Sequence, residues 1–161
     1  MESRIEKLAE KIMVGDSLII SFTDDKTYTL WNGFMPRRKE IINPANSNLY
    51  SIGVYADCFF KNFDPARGFE KWAAVEVEDA ASIPDELKTL IVPDGLYAVF
   101  THIGPASTAP ITFEYIFSNW LPNNSTYVLD TRPHLAIMTE NYHHNDPNAE
   151  EEFWIPVKLK L

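Results

Sequence analysis

A glutamate stands inside an apolar run near the C-terminal end of the chain, where His134 to Tyr142 reads HLAIMTENY. Read as a strand, the run sets Leu135, Ile137 and Thr139 on one face and Met138 and Glu140 on the other. A carboxylate on that second face either meets solvent or lines a cleft. In a cleft it would be partly desolvated, its pKa pushed up, and it would favour a cationic partner. The aromatic residues supply the walls such a cleft needs. Trp31, Trp72, Trp120 and Trp154 fall two to each half of the chain. Tryptophan is large and wants a partner for its N–H. Aromatic faces also attract organic cations, by about 0.5 to 2 kcal/mol per contact. Trp154 and Trp72 lead the candidate walls, followed by Tyr55, Tyr97 and Trp120, with Met138 and Trp31 beside them. Phe34 reads as core.

Other chemistries find less support. His143 and His144 beside Asp146, with His134 nearby, show no zinc-type spacing, and they read as a solvated hairpin loop. PRRKE, Pro36 to Glu40, is the one basic cluster and reads as a solvated face after a helix end. Glycines occur as scattered turns, so no phosphate loop is indicated. No metal and no cofactor is expected. The lone Cys58 makes no internal disulfide and reads as a small buried apolar residue in a reducing cytoplasm.

The elements that must position these residues are written twice. Ile12 to Thr23, IMVGDSLIISFT, aligns without a gap to Leu90 to Thr101, LIVPDGLYAVFT, through Val14/Val92, Asp16/Asp94, Leu18/Leu96, Phe22/Phe100 and Thr23/Thr101. Each copy leads into a helix-spaced segment. The first carries Leu30, Trp31, Phe34 and Met35, with Asp25 or Thr27 at its start. The second carries Phe113, Ile116, Phe117, Trp120 and Leu121. Pro36 and Pro122 end both segments. Strands follow at Leu49–Ala56 and His134–Tyr142, then a polar connection, then a last strand led by Trp72 or Trp154. DAASIPDELKTL links the halves, with a short helical turn at most. The expected fold is α+β: duplicated strand-helix-strand-strand units, halves about 1–80 and 81–161, with pseudo-two-fold symmetry and a central ligand cleft.

The chain has 161 residues, 45% of them hydrophobic, and a formal net charge of -9. That suits one domain with a packed core. The charge has the wrong sign for neutralising phosphates, so direct nucleic-acid binding is not expected. No apolar run is long enough to span a bilayer, and the charged N-terminus is no signal peptide. A cytoplasmic location is expected.

GLYAVFTHIGP, YIFSNWLPNN, RPHLAIMTENY and EEEFWIPVKL, in this order and spacing, resemble the GyrI-like family, the bacterial transcription-activator effector-binding domain. LWNGFMPRRKEI in the first half looks like its stand-alone branch, and the resemblance covers essentially the whole chain. It implies a single domain over 1–161 with an aromatic pocket holding a carboxylate, and it places that carboxylate on the strand of Glu140. It further implies a multidrug-type binder of hydrophobic, cationic small molecules. The alternative is a hydrolase of electrophilic small molecules, with Glu140 as general base and Tyr55 or Tyr97 as proton donor. A gyrase-interacting inhibitor ranks third, and no protein partner can be named. The family's regulators carry a DNA-binding domain ahead of this one, so the chain is not expected to bind DNA itself.

Overall fold

The computed structural model describes residues 2–161. Its elements are β1 (Ser3–Leu8), β2 (Lys11–Ile20), α1 (Thr27–Phe34), β3 (Leu49–Val54), β4 (Phe69–Val77), β5 (Lys88–Val92), β6 (Gly95–Ile103), α2 (Ala109–Tyr115), β7 (Tyr127–Leu129), β8 (His134–Met138) and β9 (Glu150–Leu159). A 3-10 turn, Met35–Glu40, extends α1, and a π turn, Ile116–Trp120, extends α2. Pro36 lies in the first extension, and Pro122 follows the second.

The strands form one antiparallel sheet in the order β1-β6-β9-β8-β3-β4-β2-β5, with β7 added on β9. The sheet is continuous rather than two small ones. The chain reads strand-strand-helix-strand-strand in each half, with β7 inserted after α2 in the second, because the charged N-terminus and the linker both supply strands, β1 and β5. These are exchanged: β1 pairs with β6 of the other half, and β5 pairs with β2. Exchanging β1 with β5, β2 with β6, β3 with β8 and β4 with β9 leaves the strand order unchanged when read from the opposite edge. The central pair β3 and β8 matches Ile52 to Leu135. Trp72 pairs with Ser17 and Trp154 with Val99, so those residues are counterparts by pairing. The ungapped alignment is therefore out of structural register. Val14-Gly15-Asp16 lies inside β2, whereas Val92-Pro93-Asp94-Gly95 makes the turn from β5 into β6.

Period-2 alternation gives the sheet two apolar faces. One carries Met13, Tyr50, Ile52, Trp72, Tyr97, Leu135 and Trp154, joined by Leu8 and Val92 from the edge strands. No helix belongs to this cluster, yet its members are buried, so the sheet must curl around them. Trp72 and Trp154 are thus core residues of the curled face. Each N–H is satisfied two residues back: Trp72 donates to Glu70 at 2.5 Å and Trp154 to Glu152 at 3.2 Å. Tyr97 is on the same face, and its hydroxyl donates to the Pro133 carbonyl at 2.8 Å. Burial pushes its pKa up to about 12.

The other face carries both helices. α1 buries Leu30 and Phe34 against β2 and β4. α2 and its extension pack Phe113, Ile116, Phe117 and Trp120 on Phe100, Phe153 and Ile155. Trp31 meets Phe34 at 6.0 Å, and Trp120 stands edge-on to Phe100 at 5.2 Å. The structure places Cys58 in the open, contrary to the expectation of burial.

Candidate functional site

Between α1 and α2 the helix-bearing face is floored by β4, β3, β8 and β9. The alternation that sends Trp72, Ile52, Leu135 and Trp154 to the curled face sends Lys71, Gly53, His134 and Glu151 to this one. Lys71, Gly53 and His134 form one row across three strands. Met138 pairs with Glu151 in β9 and with Leu49 in β3, forming a second row. Met138 is therefore buried on the cleft side of the sheet.

Gly53 makes room for an aromatic. A Cβ there would lie 2.7 Å from the Tyr55 ring, so the absence of one lets Tyr55 fold back over the floor. Tyr55 sits 4.7 Å from the His134 ring. The loop that follows, 56–68, brings Phe59, Phe60 and Phe63. Phe60 stacks on Phe117 of the α2 extension at 4.8 Å and 14°, and on His134 at 5.4 Å and 20°. A first-half loop thus closes against a second-half helix over the row of Lys71 and His134.

The polar groups beneath are unusual in having no partner. Among the described residues, no hydrogen bond or ion pair engages the Lys71 ammonium, the Glu151 carboxyl, the His134 ring or the Tyr55 hydroxyl, and none of them is sealed from solvent. Glu151 is buried and the other three residues are half-buried, and buried polar groups are ordinarily paired. Burial pushes the Glu151 carboxyl up to about 7, opposed by Lys71. Burial holds the Lys71 ammonium below the usual lysine range, opposed by Asp25 and Glu151. It also holds His134 down at about 3, with Lys71 adding to the effect. Tyr142, whose pKa is raised to about 12 by burial and by Glu151, flanks the carboxyl on the α1 side. The result is a neutral imidazole between two groups of opposite charge type, under an aromatic cover.

The expected site is therefore only partly assembled here. Tyr55 and Met138 lie at this cleft. Trp31 and Trp120 belong to the packing of the two helices. Trp72, Trp154 and Tyr97 are on the far face of the sheet. Glu140 is displaced: β8 ends at Met138, and Glu140 is exposed in the turn that follows. The strand is too short to carry it into the interior. The histidine grouping also separates, with His134 in the cleft and His143 and His144 exposed in a turn. Among the described residues no group of three or more His, Cys, Asp or Glu side chains is placed to hold a metal.

Residue pattern alone passed over Glu151, Lys71 and the Phe60 loop. The signal was nonetheless present. In β9 the series Val157, Ile155, Phe153, Glu151 is one face, and in β4 the series Val77, Val75, Ala73, Lys71, Phe69 is one face. Each is an apolar face interrupted by a single charge. Two surface depressions lie elsewhere. One, of about 610 Å³, includes Met35, Arg38 and Pro44. The other, of about 390 Å³, includes His102, Thr108 and Ile111. Neither touches the unpaired groups. In the cleft, the space is taken by Tyr55, Phe60 and Phe117 themselves.

Comparison with known proteins agrees with this architecture. A family model for a GyrI-like small molecule binding domain matches residues 1–158. The transcriptional regulator BrlR of Pseudomonas aeruginosa is 28% identical over 162 residues, which cover 98% of this chain and 56% of the regulator. The chain thus spans about half the length of that relative. SAV2435, in a structure with bound tetraphenylphosphonium, superposes with a TM-score of 0.69 at 15% identity, covering 98% of this chain and 94% of that one. The C-terminal domain of EcmrR gives 0.68 at 16%, covering 98% and 97%. A hydrolase encoded by lin2189 from Listeria innocua gives 0.59 at 12%, covering 98% and 92%. At these identities the structural likenesses show a shared fold.

Proposed function

The chain belongs to the GyrI-like small-molecule binding family, and from that premise we propose that it holds an aromatic, cationic small molecule in the cleft between α1 and α2, with Glu151 as the counter-charge. The observation that carries this reading is the Glu151 carboxyl, buried on the cleft floor with no partner among the described residues. A cation would restore what burial costs it, since pairing in a water-poor site offsets desolvation. Tyr55, Phe60 and Phe117 would supply faces for the ligand's rings. They would have to part to admit it. A bound tetraphenylphosphonium in the related SAV2435 is a cation of this kind.

Tetraphenylphosphonium is a suitable probe, followed by intrinsic fluorescence. Glu151→Gln keeps the shape and removes the charge. The expected loss is about 1.5 to 3 kcal/mol, or roughly ten- to hundred-fold in Kd. Unchanged affinity in that variant would remove Glu151 from the site. Because the free carboxyl is half protonated near pH 7, binding should tighten by up to about ninefold from pH 5 to 6 and about fivefold from pH 6 to 7. It should then level off.

A second reading rests on the same carboxyl. A pKa near 7 suits a general base at neutral pH, and the unpaired Tyr55 hydroxyl is a proton donor in the same cleft. Hydrolysis of an electrophilic substrate that is lost in Glu151→Gln, while cation affinity is retained, would favour this hydrolase over the binder.

A further inference from the structure

Lys71 is difficult to reconcile with a site for simple cations. It projects from β4 onto the same floor, and its ammonium has no partner among the described residues. A monocation drawn to Glu151 would meet a like charge at the other end of the cleft. The two groups act on each other through space, but no ion pair within 4 Å joins them. Their rows explain why. Lys71 is level with Gly53 and His134, whereas Glu151 is level with Met138 and Leu49, four residues away along β3. They stand diagonally across the two central strands, one from each half of the chain. Phe153 occupies in β9 the place that Lys71 has in β4, and Phe69 occupies in β4 the place of Glu151, judged from Trp72 and Trp154 as counterparts. Each charge therefore replaces an aromatic on one side only.

Resting on the proposed function, we infer that the cleft selects bipolar ligands, in which an aromatic body joins a cationic centre facing Glu151 to a carboxylate or similar anionic group facing Lys71. The groups around Lys71 leave that role open. His134, beside it across Gly53, is neutral, and Asp25, exposed on the α1 side and accepting hydrogen bonds from Thr27, acts on Lys71 through space without a bond to it. The Tyr55 ring, over Gly53 and beside His134, provides an aromatic face at the Lys71 end.

The test compares tetraphenylphosphonium with its analogue bearing one para-carboxylate on a phenyl ring, against the full chain and against Lys71→Met and Lys71→Gln. The expected result is at least tenfold tighter binding of the carboxylated compound by the native chain. In both Lys71 variants that preference should disappear, while binding of the plain cation is kept or improved. Thermal melts of the two variants check that both are folded. Equal affinities for the two compounds in the native chain, or a preference that survives in both variants, would overturn the bipolar site and leave the cation site standing. Failure of the native chain to bind either compound would overturn both readings.

Discussion

Glu151 and His134 make opposite demands on pH. The Glu151 carboxyl titrates near 7 in the folded chain against an ordinary value of 4.5, so the folded state favours its protonated form. Stability from this group is fully present below about pH 4.5 and is lost as pH rises through 7. Glu151→Gln should therefore be more stable than the native chain above pH 7, by up to about 3 kcal/mol, and equal to it at pH 4.5. His134 is held neutral, near 3 against 6.5. Its contribution is present above pH 6.5 and is lost as pH falls towards 3, so His134→Gln should flatten the acid limb. Urea titrations at pH 4.5, 6 and 8 read both effects. Coincident curves for the native chain and Glu151→Gln at pH 8 would show that the carboxyl is not desolvated. The sequence shows these residues but not their depth. Glu140 and Glu151 both follow apolar alternation, and the difference is where the strand stops. Alternation extended backward from Trp154 through β9 reaches Glu151 on the helix face. Glu150 and Glu151 read as the end of the polar connection, which cuts that series short.

At the scale of elements, the helices and the strands led by tryptophan were legible because apolar spacing and proline mark them. The edge strands were not. β1 alternates charged residues, and β5 shows one side to solvent, so neither carries a strong apolar period. Their partners are distant in sequence, and no local pattern reports that. The loop after β3 reads as polar, yet its Phe60 closes the cleft. Phe60→Ala should remove the stack on Phe117 and His134, speed both association and dissociation of tetraphenylphosphonium, and weaken binding about threefold to tenfold. Stopped-flow fluorescence reads this, and unchanged rates would show that the loop is no cover. A second loop is pinned by Arg132. It donates to the carbonyls of Leu96 at 2.8 Å and Val157 at 2.9 Å, and its guanidinium lies 4.8 Å from the centre of the Tyr97 ring. Arg132→Met leaves two carbonyls unpaired and should cost about 2 to 4 kcal/mol in a urea titration.

For the whole molecule, the exchange of β1 and β5 ties the halves together. Without the second half, β2 loses β5, and β3 loses β8. We propose that 1–161 folds as one cooperative unit. Residues 1–80 alone should then give the narrow amide dispersion of an unfolded chain, and the full chain should melt in a single transition. A folded 1–80 fragment would contradict this. The recurring order of elements was visible, but the aligned letters gave the wrong register: Val14-Gly15-Asp16 continues inside β2, whereas Val92-Pro93-Asp94-Gly95 turns the chain from β5 into β6. What the paired halves position, in this account, is a buried carboxyl that must ionise when a cation binds. Calorimetry of tetraphenylphosphonium binding at pH 7, in two buffers of different ionisation enthalpy, measures this directly. Release of about half a proton by the native chain and none by Glu151→Gln is expected. Binding with the same buffer-independent heat in both proteins would contradict it.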